Sequence, residues 1–234
     1  MEAELMIRLL APDEIGDRSQ LWPLIEHAVL ASGNVCDFVV DTVRTPDGGS
    51  MTRQYTLHPG AVGVIAWDEA DRIAVVLQYR HPVAHQLVEP PAGLLDQGGE
   101  DYLAAAQREL AEEAGLAAAD WRVLVDMFTT PGANQESVRI YLARGLSPAP
   151  VPAGFVAESE EAAMEVAWAA RADLVAAVLA GRLQNPVMVA GVLALEVARL
   201  GDGLDVLRPA EADWPARRAW EAQNRELKDA ANPG

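Results

Sequence analysis

With 234 residues, 50% of them apolar and 23% charged, the chain is long enough for one full domain with a small appendage and too apolar to stay disordered. A net charge of −17 argues against a basic nucleic-acid-binding face, so a phosphorylated substrate would need bound divalent metal and a few placed arginines. The single cysteine, Cys36, excludes an internal disulfide framework and a thiolate zinc cluster. No stretch reaches transmembrane length and the first residues lack a signal-peptide pattern, so no membrane contact is expected and the expected location is cytoplasmic.

In chain order, the spacing from Leu21 to Ala31 predicts a helix stopped by Gly33-Asn34. Residues 35–44 and 52–58 read as strands, joined at Thr45-Pro46-Asp47-Gly48-Gly49 into a β-hairpin. Residues 61–67 and 72–79 form a second apolar pair around Asp68-Glu69-Ala70-Asp71, and prolines and glycines interrupt 81–100. Residues 101–114 predict a helix, with Gly115 as its left-handed C-terminal cap. Strands follow at 121–129 and 137–143, split by Pro131-Gly132; a Pro/Ala/Gly-rich loop, 147–157, leads to an acidic cluster and a strand at 164–168. Residues 173–180 and 187–200 predict helices, the second apolar nearly all round and therefore buried. From Pro209 the chain, with Trp214 and Trp220, reads as an amphipathic helix against the body or a partner, then a loose end. Strands interleaved with helices predict a mixed sheet covered by helices.

Chemistry concentrates on the helix predicted over 101–114. At 100° per residue, Leu103, Ala106, Leu110 and Ala114 share one face, and Glu109, Glu112 and Glu113 gather on the opposite side. A solvated acidic face is the plain alternative. Yet like charges one turn apart repel, and these sit at the helix end whose dipole disfavours anions. A cation among them resolves both conflicts, and hard oxygen ligands suit Mg²⁺ or Mn²⁺.

The run from Ala92 to Leu116 resembles the Nudix box, G-x5-E-x7-R-E-U-x-E-E-x-G-U with U apolar. Glu100, Arg108, Glu109, Leu110, Glu112, Glu113, Gly115 and Leu116 match it in register, while six residues, in place of five, separate Gly93 from Glu100. Gln78-Tyr79-Arg80, Glu89-Pro90-Pro91-Ala92-Gly93 and Thr130-Pro131-Gly132 are similar to the ADP-ribose pyrophosphatase branch, in which a proline follows the box by about fifteen residues, as Pro131 follows Leu116. The likeness spans roughly residues 35–205.

This resemblance implies an α+β fold, the Nudix α/β/α sandwich with a mixed sheet, plus an N-terminal β-hairpin subdomain. Residues 1–58 would form that helix-and-hairpin subdomain and a homodimer contact, 59–208 the catalytic domain, and 209–234 a C-terminal tail. The implied reaction is Mg²⁺-dependent hydrolysis of ADP-ribose to AMP and ribose 5-phosphate. Another nucleoside diphosphate sugar or a dinucleotide such as NADH is the nearest alternative substrate. A catalytically silent ligand sensor is disfavoured by the complete glutamate set, and an RNA-binding module by the charge.

By the same resemblance, Glu109 and Glu113 are metal ligands, with Glu112 alongside and the backbone carbonyl of Ala92 completing the shell. Arg108 orients a neighbouring glutamate; an ordinary surface ion pair is its plain alternative. The general base comes from a loop after the box, where Glu158-Ser159-Glu160-Glu161 is the carboxylate cluster so placed, with Glu161 favoured and Glu160 next. Arg80 would neutralise substrate at the pocket mouth, and Arg53 would act across the dimer interface if the hairpin is exchanged. Glu89, Gly132 and Glu136 are candidates for ribose hydroxyl contacts, while His81 and His85, in a proline-flanked loop, read as loop residues.

Overall fold

In this computed structural model, which describes residues 7–97, 100–150, 164–219 and 221–222, the chain first builds a three-stranded antiparallel sheet. Its strands are β1 (Leu24–Ser32), β2 (Asp37–Arg44) and β3 (Ser50–Leu57), in that spatial order. The helix expected over 21–31 is therefore corrected to a strand. β1 pairs with β2 from Leu24↔Val43 to Ser32↔Asp37, with register shifts that leave Ile25 and Leu30 as the extra residues. Each shift breaks the two-residue alternation of a strand, so Leu21, Leu24, Ile25, Ala28 and Val29 fall at helical spacing without forming a helix. Polar bonds inside the sheet fix the pairing: Asp41, buried, meets His27 Nδ1 at 2.6 Å and accepts the Tyr55 hydroxyl at 2.7 Å.

The body is organised around β4 (Ala61–Ala66). It runs parallel to β9 (Ser137–Pro148) and antiparallel to the short β7 (Ala92–Leu94). β9 pairs in turn with β8 (Leu116–Phe128), which carries the two-residue β11 (Arg208–Pro209), giving the five-stranded mixed order β11-β8-β9-β4-β7. A second sheet places β5 (Arg72–Arg80) between β10 (Glu165–Ala170) and β6 (His85–Glu89).

The parallel β4–β9 pair needs a long crossover, and α1 (Tyr102–Ala114) lies within it. Alternation along the central strands then sends side chains both ways. Val62, Val64, Tyr141 and Ala143 pack with Ala105, Ala106 and Leu110 of α1. Ile65, Ile140 and Leu142 pack on the other face against Leu174 of α2 (Arg171–Leu179) and Met188, Val192 and Leu195 of α3 (Pro186–Leu200). The result is α+β in composition and layered helix, sheet, helix in section.

Helix α3 is buried along one face only: Met188, Val192 and Leu195 are sealed, whereas Val197 and Leu200 are 72% and 69% exposed. An outer layer has one covered side, whatever its composition. After β11 the chain stays on the body, with Ala210, Trp214 and Arg217 buried. Arg139, 1% exposed, donates to Asp126 at 2.7 Å and to the carbonyl of Ala212 at 2.7 Å, and its guanidinium lies 4.8 Å from the Trp214 ring centre. No helix among the described residues is long and apolar enough to cross a membrane.

Candidate active site

Helix α1 is delimited by its own sequence. The Asp101 carboxylate accepts the N–H groups of Leu103 and Ala104 at 2.9 and 3.3 Å, and Gly115 closes the far end in the left-handed region at φ 62°. With Ala105, Ala106 and Leu110 in the core, the carboxylates face the other way, into a cavity of about 730 Å³. That cavity is also walled by Gln78 and Arg80 of β5, Glu89 and Ala92, His58, Thr129 and Glu136 around the β8–β9 connection, and Asn185 at the start of α3.

Arg108 grips the box glutamates. Its Nε and one terminal nitrogen donate to the two oxygens of Glu100, each at 3.0 Å, and the other terminal nitrogen donates to Glu109 at 2.6 Å and Glu112 at 3.0 Å. Bonding to Glu100 above all holds the Arg108 guanidinium firmly protonated. Burial pushes the Glu109 carboxyl above its ordinary pKa; Arg108 pulls it down, and the charges of Glu112 and Glu100 add to the upward push. Glu113 turns instead to the backbone, accepting the Ala92 N–H at 2.9 Å. Beside it the bare Cα of Gly93 abuts Glu109, for a Cβ there would lie 1.9 Å from Oε1. The extra residue between Gly93 and Glu100 thus leaves this glycine against the helix carboxylates.

Among the described residues, no three His, Cys, Asp or Glu side chains already stand together as metal ligands. Arg108 is drawn among the carboxylates where a cation belongs. The donor set nevertheless fits a divalent metal. Among the described residues, six carboxylates line the cavity, Glu89, Asp96, Glu109, Glu112, Glu113 and Glu136, against two guanidinium groups, Arg80 and Arg108. A pyrophosphate cannot enter that field without added positive charge. Glu109, Glu112, Glu113 and the Ala92 carbonyl offer the hard oxygens that would supply the ligands.

The other expected site residues divide. Arg80 and Glu89 both line the cavity, but as a bidentate pair: Nε donates to Oε1 at 3.0 Å and a terminal nitrogen to Oε2 at 2.7 Å. Glu89 is 3% exposed and its carboxylate is committed to orienting Arg80. Glu136 lines the cavity, whereas Arg53 and Gly132 line a separate cleft of about 260 Å³ beside Tyr55 and Asn134. Within one chain, Arg53 and Gly132 are not brought to the carboxylates. Glu158, Glu160 and Glu161 lie outside the described residues. Sequence reasoning missed His58, Thr129 and Asn185 and gave Gln78, part of a quoted motif, no role of its own; His58, before Pro59-Gly60, carried only the weak signal of a polar residue at a strand end.

Comparison with known proteins agrees with this geometry. Residues 57–189 match the NUDIX domain family. The chain is 42% identical over 190 residues to an ADP-ribose pyrophosphatase of Mycobacterium tuberculosis (strain ATCC 25618 / H37Rv), covering 81% of this chain and 89% of that protein. It is 42% identical over 123 residues to a methanol dehydrogenase activator of Bacillus methanolicus, covering 53% of this chain and 66% of the relative. An ADP-ribose pyrophosphatase of Bacillus subtilis (strain 168) is 40% identical over 116 residues, covering 50% of this chain and 62% of the relative. A solved ADP compounds hydrolase shares the fold with a TM-score of 0.66 at 18% identity, over 80% of this chain and 99% of that one. Box, layered fold and relatives together show that the chain belongs to the Nudix hydrolase family, in the branch of its ADP-ribose pyrophosphatase relatives.

Proposed function

We propose that the protein hydrolyses ADP-ribose to AMP and ribose 5-phosphate with Mg²⁺, or Mn²⁺ in its place, as a homodimer in the cytoplasm. The observation that carries the reading is the imbalance, among the described residues, of six carboxylates against two guanidinium groups around one cavity. The substrate assignment is supported by the two relatives named as ADP-ribose pyrophosphatases. Glu109, Glu112, Glu113 and the Ala92 carbonyl would hold the metal, which supplies neutralisation of the pyrophosphate oxygens and a more acidic water. Arg108 keeps Glu109 and Glu112 aligned, and Arg80, steadied by Glu89, meets a phosphate oxygen. Water adds to one phosphorus as its bond to the bridging oxygen breaks, and Glu161, with Glu160 next, takes the proton. Arg53 and Gly132 act from the partner's side of the dimer.

The deciding experiment measures kcat/KM for ADP-ribose, GDP-mannose, NADH and a diadenosine polyphosphate, with Mg²⁺ and with EDTA. ADP-ribose should lead, EDTA and Glu113→Gln should abolish turnover, and Glu161→Gln should lower kcat by about 10²–10⁴-fold with little change in KM. A guanine nucleotide sugar in first place overturns the substrate, and undiminished turnover in EDTA overturns the metal.

A further inference from the structure

We infer that His58 is a substrate-binding residue, whose Nε2–H acts beside the Glu136 carboxylate to grip a ribose hydroxyl pair; the inference rests on the reaction proposed above. The two side chains come from the β3–β4 corner and the β8–β9 connection, and neither belongs to the box.

His58 sits at the corner between β3 and β4. The N–H of Gly60 donates to its Nδ1 at 3.1 Å, and a ring nitrogen that accepts carries no proton, so the neutral ring has its hydrogen on Nε2. Gly60 is itself held: its carbonyl accepts the Leu95 N–H at 3.0 Å, and its φ of 85° belongs to the left-handed region. The corner therefore fixes the ring. Nε2 meets no acceptor among the described residues, and the side chain stays 18% exposed on the cavity wall.

Glu136 is equally fixed. Its Oε2 accepts the Thr129 hydroxyl at 2.5 Å, and its backbone N–H donates to Asn134 Oδ1 at 3.0 Å. Its Oε1 stands 3.6 Å from His58 Nδ1, too far for a hydrogen bond and facing a nitrogen with no proton to give. The cavity is thus lined by a ring whose hydrogen is on Nε2 and by an anionic carboxylate whose Oε1 stands near that ring. Phosphate oxygens only accept, and the carboxylate repels them. A sugar diol both donates and accepts, so it satisfies the pair. By chemistry the ligand is the ribose end of a nucleoside diphosphate sugar, not its phosphates.

Two near-isosteric variants separate binding from a purely structural bond to Gly60. His58→Asn keeps an acceptor near Nδ1 and deletes the Nε2–H, whereas His58→Gln can return an N–H near the Nε2 position. With ADP-ribose, His58→Asn should raise KM about 10- to 100-fold at nearly constant kcat, and His58→Gln should recover much of the loss. Analogues deoxygenated on the adenosine ribose or on the terminal ribose, tested singly, should make one of the two insensitive to the substitution. Calorimetric binding of AMP and of ribose 5-phosphate reads the same contact without turnover, and one of them should weaken by a similar factor. Absent wild-type turnover of ADP-ribose defeats the proposed reaction. Unchanged KM and unchanged product binding in His58→Asn, with only Tm moved, defeat the role of His58.

Discussion

Two backbone positions hold the carboxylates of α1: Ala92, whose N–H donates to Glu113, and Gly93, whose missing side chain leaves room for Glu109. A methyl group on Gly93 would lie 1.9 Å from Glu109 Oε1 and 2.0 Å from its Cδ. The carboxylate end of Glu109 is movable, so the fold should survive Gly93→Ala while the ligand swings away. Displacement by about an ångström typically costs about 10²-fold in a positioned site, and we expect a kcat/KM loss near that size with a raised Mg²⁺ requirement. A Mg²⁺ titration of activity checks this; an unmoved half-saturation point would remove Glu109 from the ligand set. The box itself was legible because the chemistry requires fixed residue types at helical spacing. The pairing of Arg80 with Glu89 was not, since it joins the ends of β5 and β6 and depends on their register, Arg80↔His85 and Val76↔Glu89.

Among the elements, α1 was readable from local signals, Asp101 at its start and Gly115 at its end, because caps act within a few residues. β1 was not, since its bulged pairing with β2 overrides a helix-like apolar spacing. Helix α2 starts two residues before the expected position, at Arg171, and the reason is tertiary. Arg171, 7% exposed, donates through Nε to Asp71 at 2.8 Å and also to Glu196, so it ties the β4–β5 turn to α2 and α3. Arg171 holds the Asp71 carboxyl below its ordinary pKa, and Arg199, with Arg171 adding, does the same for Glu196. Depressed folded-state values contribute stability above the unfolded carboxylate pKa, near 4, and lose it as pH falls through the depressed values. Arg171→Met should therefore destabilise by about 1–3 kcal/mol at pH 7, less than a fully buried pair because the Asp71 side chain is half exposed. Urea denaturation at pH 7 and below pH 4 checks the sign: the gap from wild type should shrink in acid, and a constant gap would assign the loss to packing.

Across the whole molecule, the sheet of β1, β2 and β3 is the part with the least covering. Leu24, Ile25, Val29, Leu30 and Phe38 are between 42% and 51% exposed, and β1 has no further partner strand among the described residues. Such a surface favours a second copy of the chain, and Arg53, remote from its own carboxylates, would then serve the neighbouring cavity. Light scattering on the wild type should give a dimer mass, and Ile25→Glu with Val29→Glu should give a monomer with lower activity; a monomeric wild type would end the exchange model. The amino-acid sequence by itself determined the interleaving of strands with helices, the limits of α1, the carboxylate cluster and the need for added positive charge, because each depends on composition or on neighbours within a few turns of chain. Only the tertiary structure decided the strand character of β1, the burial of Ala210, Trp214 and Arg217 on the body, and the meeting of His58 with Glu136. Those contacts join segments far apart in sequence, and they exist only once strand register and packing have brought the segments together.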